Sequence, residues 1–194
     1  YIEKLDYRRL QENCMRKELL GIMPLQYSLT YEGFATAIYS ELDELNFNMA
    51  YARGAVGRIE LVESGTYQFA VCSRYAAEQS INCGKEIEIA FDFGPGSFLS
   101  KHVLLLADES KDGICDGMKV AYDSKSLDQS RITDNIVKGK EITLIPIRTQ
   151  QTIGALMDGT IDAGVWNYDD VLENHHDRLK VVSLPESDYN NSFS

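Results

Sequence analysis

Two α/β halves are what this sequence predicts, and three observations predict them. Short apolar runs alternate with amphipathic runs along the chain, the pattern of strand–helix units and parallel sheets. The alternation breaks at the turn signal GPGS (94–97), passes through one long apolar run, and then restarts. A length of 194 residues suits one large domain or two halves of about 100 residues each.

In the first half, ELLGIM (18–23) reads as a buried strand, and Pro24 ends it by pulling Met23 out of helical geometry. YEGFATAIYSELDE (31–44) is amphipathic, with Phe34, Ala35, Ile38 and Leu42 on one stripe. NFNMAYARG (46–54) is a second strand, and GRIELVESG (57–65) a short helix stopped by glycine. TYQFAVCSR (66–74) is a third strand, AAEQSINCG (76–84) a helix, and KEIEIAFDFG (85–94) a fourth strand. After the turn, FLSKHVLLLAD (98–108) is a long strand that leads into the second half, and ESKDGICDG (109–117) is a polar loop. Strand MKVAYD, helix SLDQSRITDNIV, strand EITLIPIR, helix TQQTIGALMDG and strand IDAGVWN follow, with VVSLPE (181–186) as one more short strand.

Composition narrows the function. The chain is 44% hydrophobic and 25% charged, as in ordinary globular proteins. Its net charge of −11 argues against this segment gripping nucleic acid, which needs a clustered basic face. No run of 18 apolar residues offers a membrane span, and YIEKLDYRRL lacks the apolar core of a signal peptide. Cys14, Cys72, Cys83 and Cys115 are far apart and form no C-x-x-C. Reduced thiols in a cytoplasmic protein are the expectation.

Ligands of open α/β sheets gather where strands end. PLQYS (24–28) follows the first strand, and Ser28 or Thr30 can cap the next helix or leave its N–H groups to an anion. ARGAVGR (52–58) carries Arg53 and Arg58, as ligand groups or as solvated arginines of a surface turn. Ser73 and Arg74 end the third strand, and the guanidinium fork suits a carboxylate, a phosphate or a structural ion pair. In DSKSLDQ (123–129), Asp123, Ser124 and Ser126 can cap a helix starting near Leu127 or hold a polar ligand. Trp166 can stack on a flat ligand or join the core, and Asn167 can hydrogen-bond one.

Catalytic signatures are missing. The sequence has no H-E-x-x-H, G-x-S-x-G, P-loop or G-x-G-x-x-G, and no zinc-like cysteine spacing. His102 falls in or beside a strand, and His175 and His176 fall in a polar NHHD segment. No catalytic residue, metal ligand or cofactor is expected.

MPLQYSLTYEGFATAI, SGTYQFAVCSR, DGMKVAYDSKSLDQ and MDGTIDAGVWN together resemble the effector part of the YhfZ family, bacterial proteins described as transcriptional regulators. The resemblance runs over about residues 4–185 and implies a two-lobed fold like type II periplasmic binding proteins, closing on a small ligand. It implies a connector over 1–15 that follows a DNA-binding helix-turn-helix. Lobe one would take 16–104, lobe two 105–183, and 184–194 would start the return to lobe one. It also implies cleft residues by position. Lobe one would supply Pro24, Leu25, Gln26, Tyr27, Ser28, Arg53, Ser73 and Arg74. Lobe two would supply Asp123, Ser124, Ser126, Asp128, Gln129, Trp166 and Asn167. Arg53 and Arg74 hint at an anionic group on the ligand, and Trp166 and Tyr27 at a flat or apolar part. A homodimer that contacts DNA only through the helix-turn-helix is the expected assembly, with no membrane partner. A solute-binding protein serving a transporter, or a biosynthetic enzyme on the same architecture, are the competing readings.

Overall fold

The computed structural model describes residues 18–25, 29–43, 45–94, 97, 101–173 and 178–186. Several sequence expectations lie outside the described residues: the 1–15 connector, Cys14, Gln26, Tyr27, Ser28, the Pro95–Gly96 turn, residues 98–100, His175, His176 and residues 187–194. The chain divides into two compact units. One lies within Tyr1–Cys72 and Ala77–Ala90, the other within Ser73–Ala76 and Phe91–Ser194.

The first unit is built on β1 (Leu19–Met23), whose neighbours β2 (Phe47–Tyr51) and β3 (Phe69–Ala70) both pair with it in parallel. Ile22 and Met23 are fully buried, as an apolar central strand requires. Helices α1 (Leu29–Glu41) and α2 (Ala55–Glu63) make the crossovers between the strands, and α3 (Arg74–Asn82) follows β3, with its residues up to Ala76 assigned to the other unit. Gly21 is a packing requirement. A Cβ there would lie 2.4 Å from the Phe69 ring and 2.9 Å from Met49 Sδ. That space lets Phe69 stack on Phe47, ring centroids 6.0 Å apart and planes 8° from parallel.

The second unit carries a five-stranded sheet in the order β6-β5-β7-β4-β8. Its strands are β4 (His102–Leu106), β5 (Lys119–Tyr122), β6 (Thr143–Pro146), β7 (Ala163–Asn167) and β8 (Lys180–Ser183). Pairs β5–β6 and β5–β7 are parallel, whereas β4 runs antiparallel to both β7 and β8. The sheet is therefore mixed. All five residues of β4 are buried. Val103 and Leu105 face a core with Leu156, Ile161 and Leu179, while Leu104 and Leu106 face one with Ile114, Met118 and Val120. Helices α4 (Leu127–Ile136), α5 (Thr152–Met157) and α6 (Tyr168–Glu173) cover the strands, with a 3₁₀ turn at Thr149–Gln151 leading into α5. A Cβ on Gly164 of β7 would meet Thr152 Cγ2 at 2.6 Å and Ala121 Cβ at 3.2 Å, so α5 packs directly on this strand.

Three expectations are corrected. Residues 85–94 form no strand. They run as an irregular segment in which Ile89, Phe91 and Phe93 are exposed. Their alternation suits a strand, but a strand is a pairing, and no described strand pairs with them. Phe91 instead packs edge to face on Phe93, with centroids 4.8 Å apart. The helix expected over 149–159 is a 3₁₀ turn followed by a shorter α-helix. Helix α6 was not anticipated at all. It starts where the Asn167 side-chain oxygen accepts the Asp169 N–H at 2.9 Å, with Asp169 and Asp170 in its first turn.

Candidate functional site

In the first unit the hydrogen-bond ladder continues one residue past the carboxyl ends of β2 and β3. Ala52 N–H donates to Met23 O at 3.0 Å, and Val71 N–H to Ile22 O at 2.9 Å. Pro24 is buried and Leu25 half-buried. Arg53 is exposed at the turn before α2. Arg58 is not a solvated surface arginine. It is 3% exposed, and its guanidinium donates to Val71 O at 3.1 Å and to Ala52 O at 2.8 Å. The side chain ties the ends of β2 and β3 together. The glycine at the helix start, Gly54 with φ 77°, lets the chain turn tightly enough to aim Arg58 inward. An arginine opening a helix gives no sequence signal of such burial.

The second unit gathers more of the singled-out residues, starting with Ser73 and Arg74. Ser73 caps α3: its Oγ accepts the Ala76 N–H at 3.2 Å. The same hydroxyl donates to Asp128 on α4, with the two carboxylate oxygens at 2.9 and 2.7 Å. Arg74 forms an ion pair with Asp92 at 2.9 Å, with side chains 69% and 41% exposed. Such an exposed pair contributes at most about 1 kcal/mol.

Asp123 ends β5 and organises the turn beyond it. One carboxylate oxygen accepts the Lys125 N–H at 3.0 Å. The other accepts the Thr149 N–H at 2.8 Å and the Thr149 hydroxyl at 2.9 Å, joining the loops after β5 and β6. Gln129 lies 2.7 Å from the same hydroxyl. Thr149 has one hydroxyl hydrogen, which the carboxylate takes, so the Gln129 amide turns its NH₂ to Oγ1. Ser124 is exposed. Ser126 occupies the N-cap of α4, but its side chain makes no cap hydrogen bond, which corrects the expected capping role. Its contribution is through the backbone, where Ser126 O accepts the Ser130 N–H at 2.9 Å.

These groups surround a hollow of about 10 Å³, enough for one water-sized group. Asp123, Gln129, Thr133, Thr149 and Thr152 give it a polar rim. Ala121, Ile147 and Val165 give it an apolar floor. Sequence reasoning found Asp123 and Gln129 but missed the three threonines. Their hydroxyls carry no distinguishing spacing, and only the sheet brings them together.

At the end of β7, Trp166 packs against the core and donates its indole N–H to Asp170 at 2.5 Å. Asn167 is 5% exposed, and its Nδ2 has no hydrogen-bond partner among the described residues. It sits opposite His102 in the β4–β7 ladder. Burial holds the His102 imidazole down at about 4, against a smaller upward pull from Asp169, so the ring is neutral at pH 7. Because β4 is antiparallel to β7, His102, Asn167, Asp123 and Thr149 all lie at one edge of the sheet, the carboxyl edge of β5, β6 and β7. Cys72, Cys83 and Cys115 form no disulfide, and no group of three metal-ligating side chains occurs, among the described residues. No helix among them is long and apolar enough to cross a membrane.

Comparison with known proteins places this geometry in a family. The chain belongs to the YhfZ C-terminal domain family, whose model matches residues 6–194. It is 28% identical over 188 residues to the protein YhfZ of Escherichia coli strain K12, covering 97% of this chain and 60% of that protein. The crystal structure of YhfZ from Shigella flexneri superposes with a TM-score of 0.72 at 27% identity, covering 97% of this chain and 80% of that one. An ancestral arginine-binding protein bound to arginine gives a TM-score of 0.60 at 16% identity, covering 87% and 80%. PhnD1 from Prochlorococcus marinus, in complex with methylphosphonate, gives 0.60 at 14% identity, covering 86% and 71%. The fold is that of type II periplasmic binding proteins.

Proposed function

We propose that this domain is the ligand-sensing effector part of a bacterial transcriptional regulator. It works in the cytoplasm as a binding module rather than a catalyst, on a homodimer whose DNA contacts come from a helix-turn-helix elsewhere in the protein. One observation carries the ligand-binding reading: loop and helix-start residues converge on the carboxyl edge of the second unit's sheet, in a chain of this family and fold. Ligand binding would act on DNA affinity by no more than its differential affinity for the two forms of the regulator. The chain spans about 60% of the length of its Escherichia coli relative, so the regulator role belongs to the whole protein.

Arg74 and the peptide N–H groups at the start of α3 are the elements suited to an anionic part of the ligand. The Asp92 pair is exposed enough for such a group to compete for the guanidinium. A thermal-shift screen of carboxylates and phosphates tests this. A ligand at 100 times its Kd stabilises the fold by about 2.7 kcal/mol, a rise of roughly 2–4 °C at this size. Arg74→Ala is expected to erase the shift while the melting of the unliganded domain stays in place. An undiminished shift in Arg74→Ala removes that residue from the site.

The second reading is a solute-binding protein serving a transporter. It is favoured by the fold shared with the arginine- and methylphosphonate-bound proteins. Binding of the full-length protein to its own upstream DNA, changed by the ligand, decides for the regulator. Recovery of the full-length protein outside the inner membrane decides for the transporter partner.

A further inference from the structure

We infer that the hollow under the β5–α4 turn takes the ammonium group of an amine-bearing ligand. This rests on the ligand-binding reading above and adds the chemistry of one end of the ligand.

Size, charge and hydrogen-bond supply agree on this occupant. The space of about 10 Å³ fits a water-sized head such as an ammonium group. The rim carries one formal charge, the Asp123 carboxylate, and no lysine or arginine lines the hollow. An ammonium needs acceptors, and the rim offers them. Asp123 spends three of its roughly four lone-pair sites on Lys125 and Thr149 and keeps capacity for one more donor. Thr133 donates its hydroxyl hydrogen to Gln129 O at 2.8 Å, which leaves its oxygen able only to accept. Thr152 is 2% exposed, and no hydrogen bond reaches its hydroxyl among the described residues. A hydroxyl that lines the hollow without a partner among the described residues, beside a carboxylate with spare capacity, suits a donor that comes from outside the chain. The apolar floor excludes competing water from the far side and strengthens the charge interaction.

The test uses methylammonium chloride and n-butylammonium chloride as cationic probes, with n-butanol and sodium butyrate as neutral and anionic counterparts. Backbone amide resonances are followed by NMR on the whole domain, and affinity by titration. The expected result is saturable movement of the Lys125 and Thr149 amides with both ammonium probes and none with n-butanol. Asp123→Asn is expected to weaken ammonium binding by about tenfold or more. Asp123 also holds the Thr149 loop, so Thr152→Val serves as the second variant. It keeps the side-chain volume and is expected to weaken the probes by a smaller factor with unchanged melting. Equal binding of methylammonium to the parent domain and both variants overturns the inference, as does the absence of any saturable shift, which would leave the hollow to a resident water. If the ammonium probes fail while an anion binds in an Arg74-dependent way, this inference falls and the sensor reading stands. If the ammonium probes and the metabolite screen both fail, both fall.

Discussion

The two units solve the same problem differently at the carboxyl ends of their strands. In the first, one of the two arginines at that edge is turned inward. Arg58 is buried and spent on two backbone carbonyls, so it fastens β2 to β3. In the second, the negative charge is held at the edge. Asp123 and Asp128 accept bonds from the loops around them, and Asp123 borders a hollow. The first sheet is small, three strands with a β3 of two residues, and it uses its edge for cohesion. The second has five strands and a fully buried β4, so its interior does not depend on the polar groups at its edge.

The largest expected break in this contrast is Arg58→Met. It keeps the apolar stem but strips two half-buried carbonyls of their charged donor, at roughly 1.5–3 kcal/mol each, so about 4 kcal/mol in total is expected. Denaturant unfolding checks the magnitude. Hydrogen exchange should show the loss in β1–β3 and not in β4–β8.

The second unit has its own weakness, and acid exposes it. His102 takes up a proton at about 4 when folded and near 6.5 when unfolded. Between those values the unfolded state binds more protons, so stability is full above pH 6.5 and falls as pH drops toward 4. A fall from 6.5 to about 4 corresponds to about 3 kcal/mol. Urea unfolding from pH 7 to 4 should show this slope in the parent domain and a flatter one in His102→Gln. Equal slopes would remove His102 as the acid-sensitive group.

A smaller effect sharpens the comparison within the second sheet. Gly164→Ala puts a methyl group 2.6 Å from Thr152 Cγ2, and α5 must shift or Thr152 must rotate. A loss of about 2 kcal/mol is expected by thermal melting. Because Thr152 lines the hollow, ammonium affinity should fall as well.

Most strands were legible because each is an apolar run bounded by turn residues, as LLGIM and HVLLL show. KEIEIAFDFG misled because alternation records what a strand needs on its faces and not whether a neighbour exists to pair with its backbone. Helix α6 escaped because six residues are too few for a periodic signal, and its start depends on Asn167 bonding the Asp169 N–H. In the site, DSKSLDQ announced itself as polar residues at a strand end. Thr149 and Thr152 did not, since they reach the hollow only through the parallel pairing of β5 with β6 and the packing of α5 on Gly164. Arg58 was misread for a related reason. Its partners are carbonyls 6 and 13 residues away, and carbonyls are the same in every sequence.

Gly21 and Phe69 make the order of sequence change matter. The ring of Phe69 fills the space that a side chain at position 21 would need. An alanine arriving first at position 21 meets the ring and Met49, whereas the same alanine arriving after Phe69→Leu meets a shorter neighbour. The two substitutions are therefore not additive: Gly21→Ala alone must displace the Phe69 ring and Met49, whereas Phe69→Leu alone gives up the stacking of Phe69 on Phe47. A lineage that drifts at this pair is constrained in history as well as in outcome.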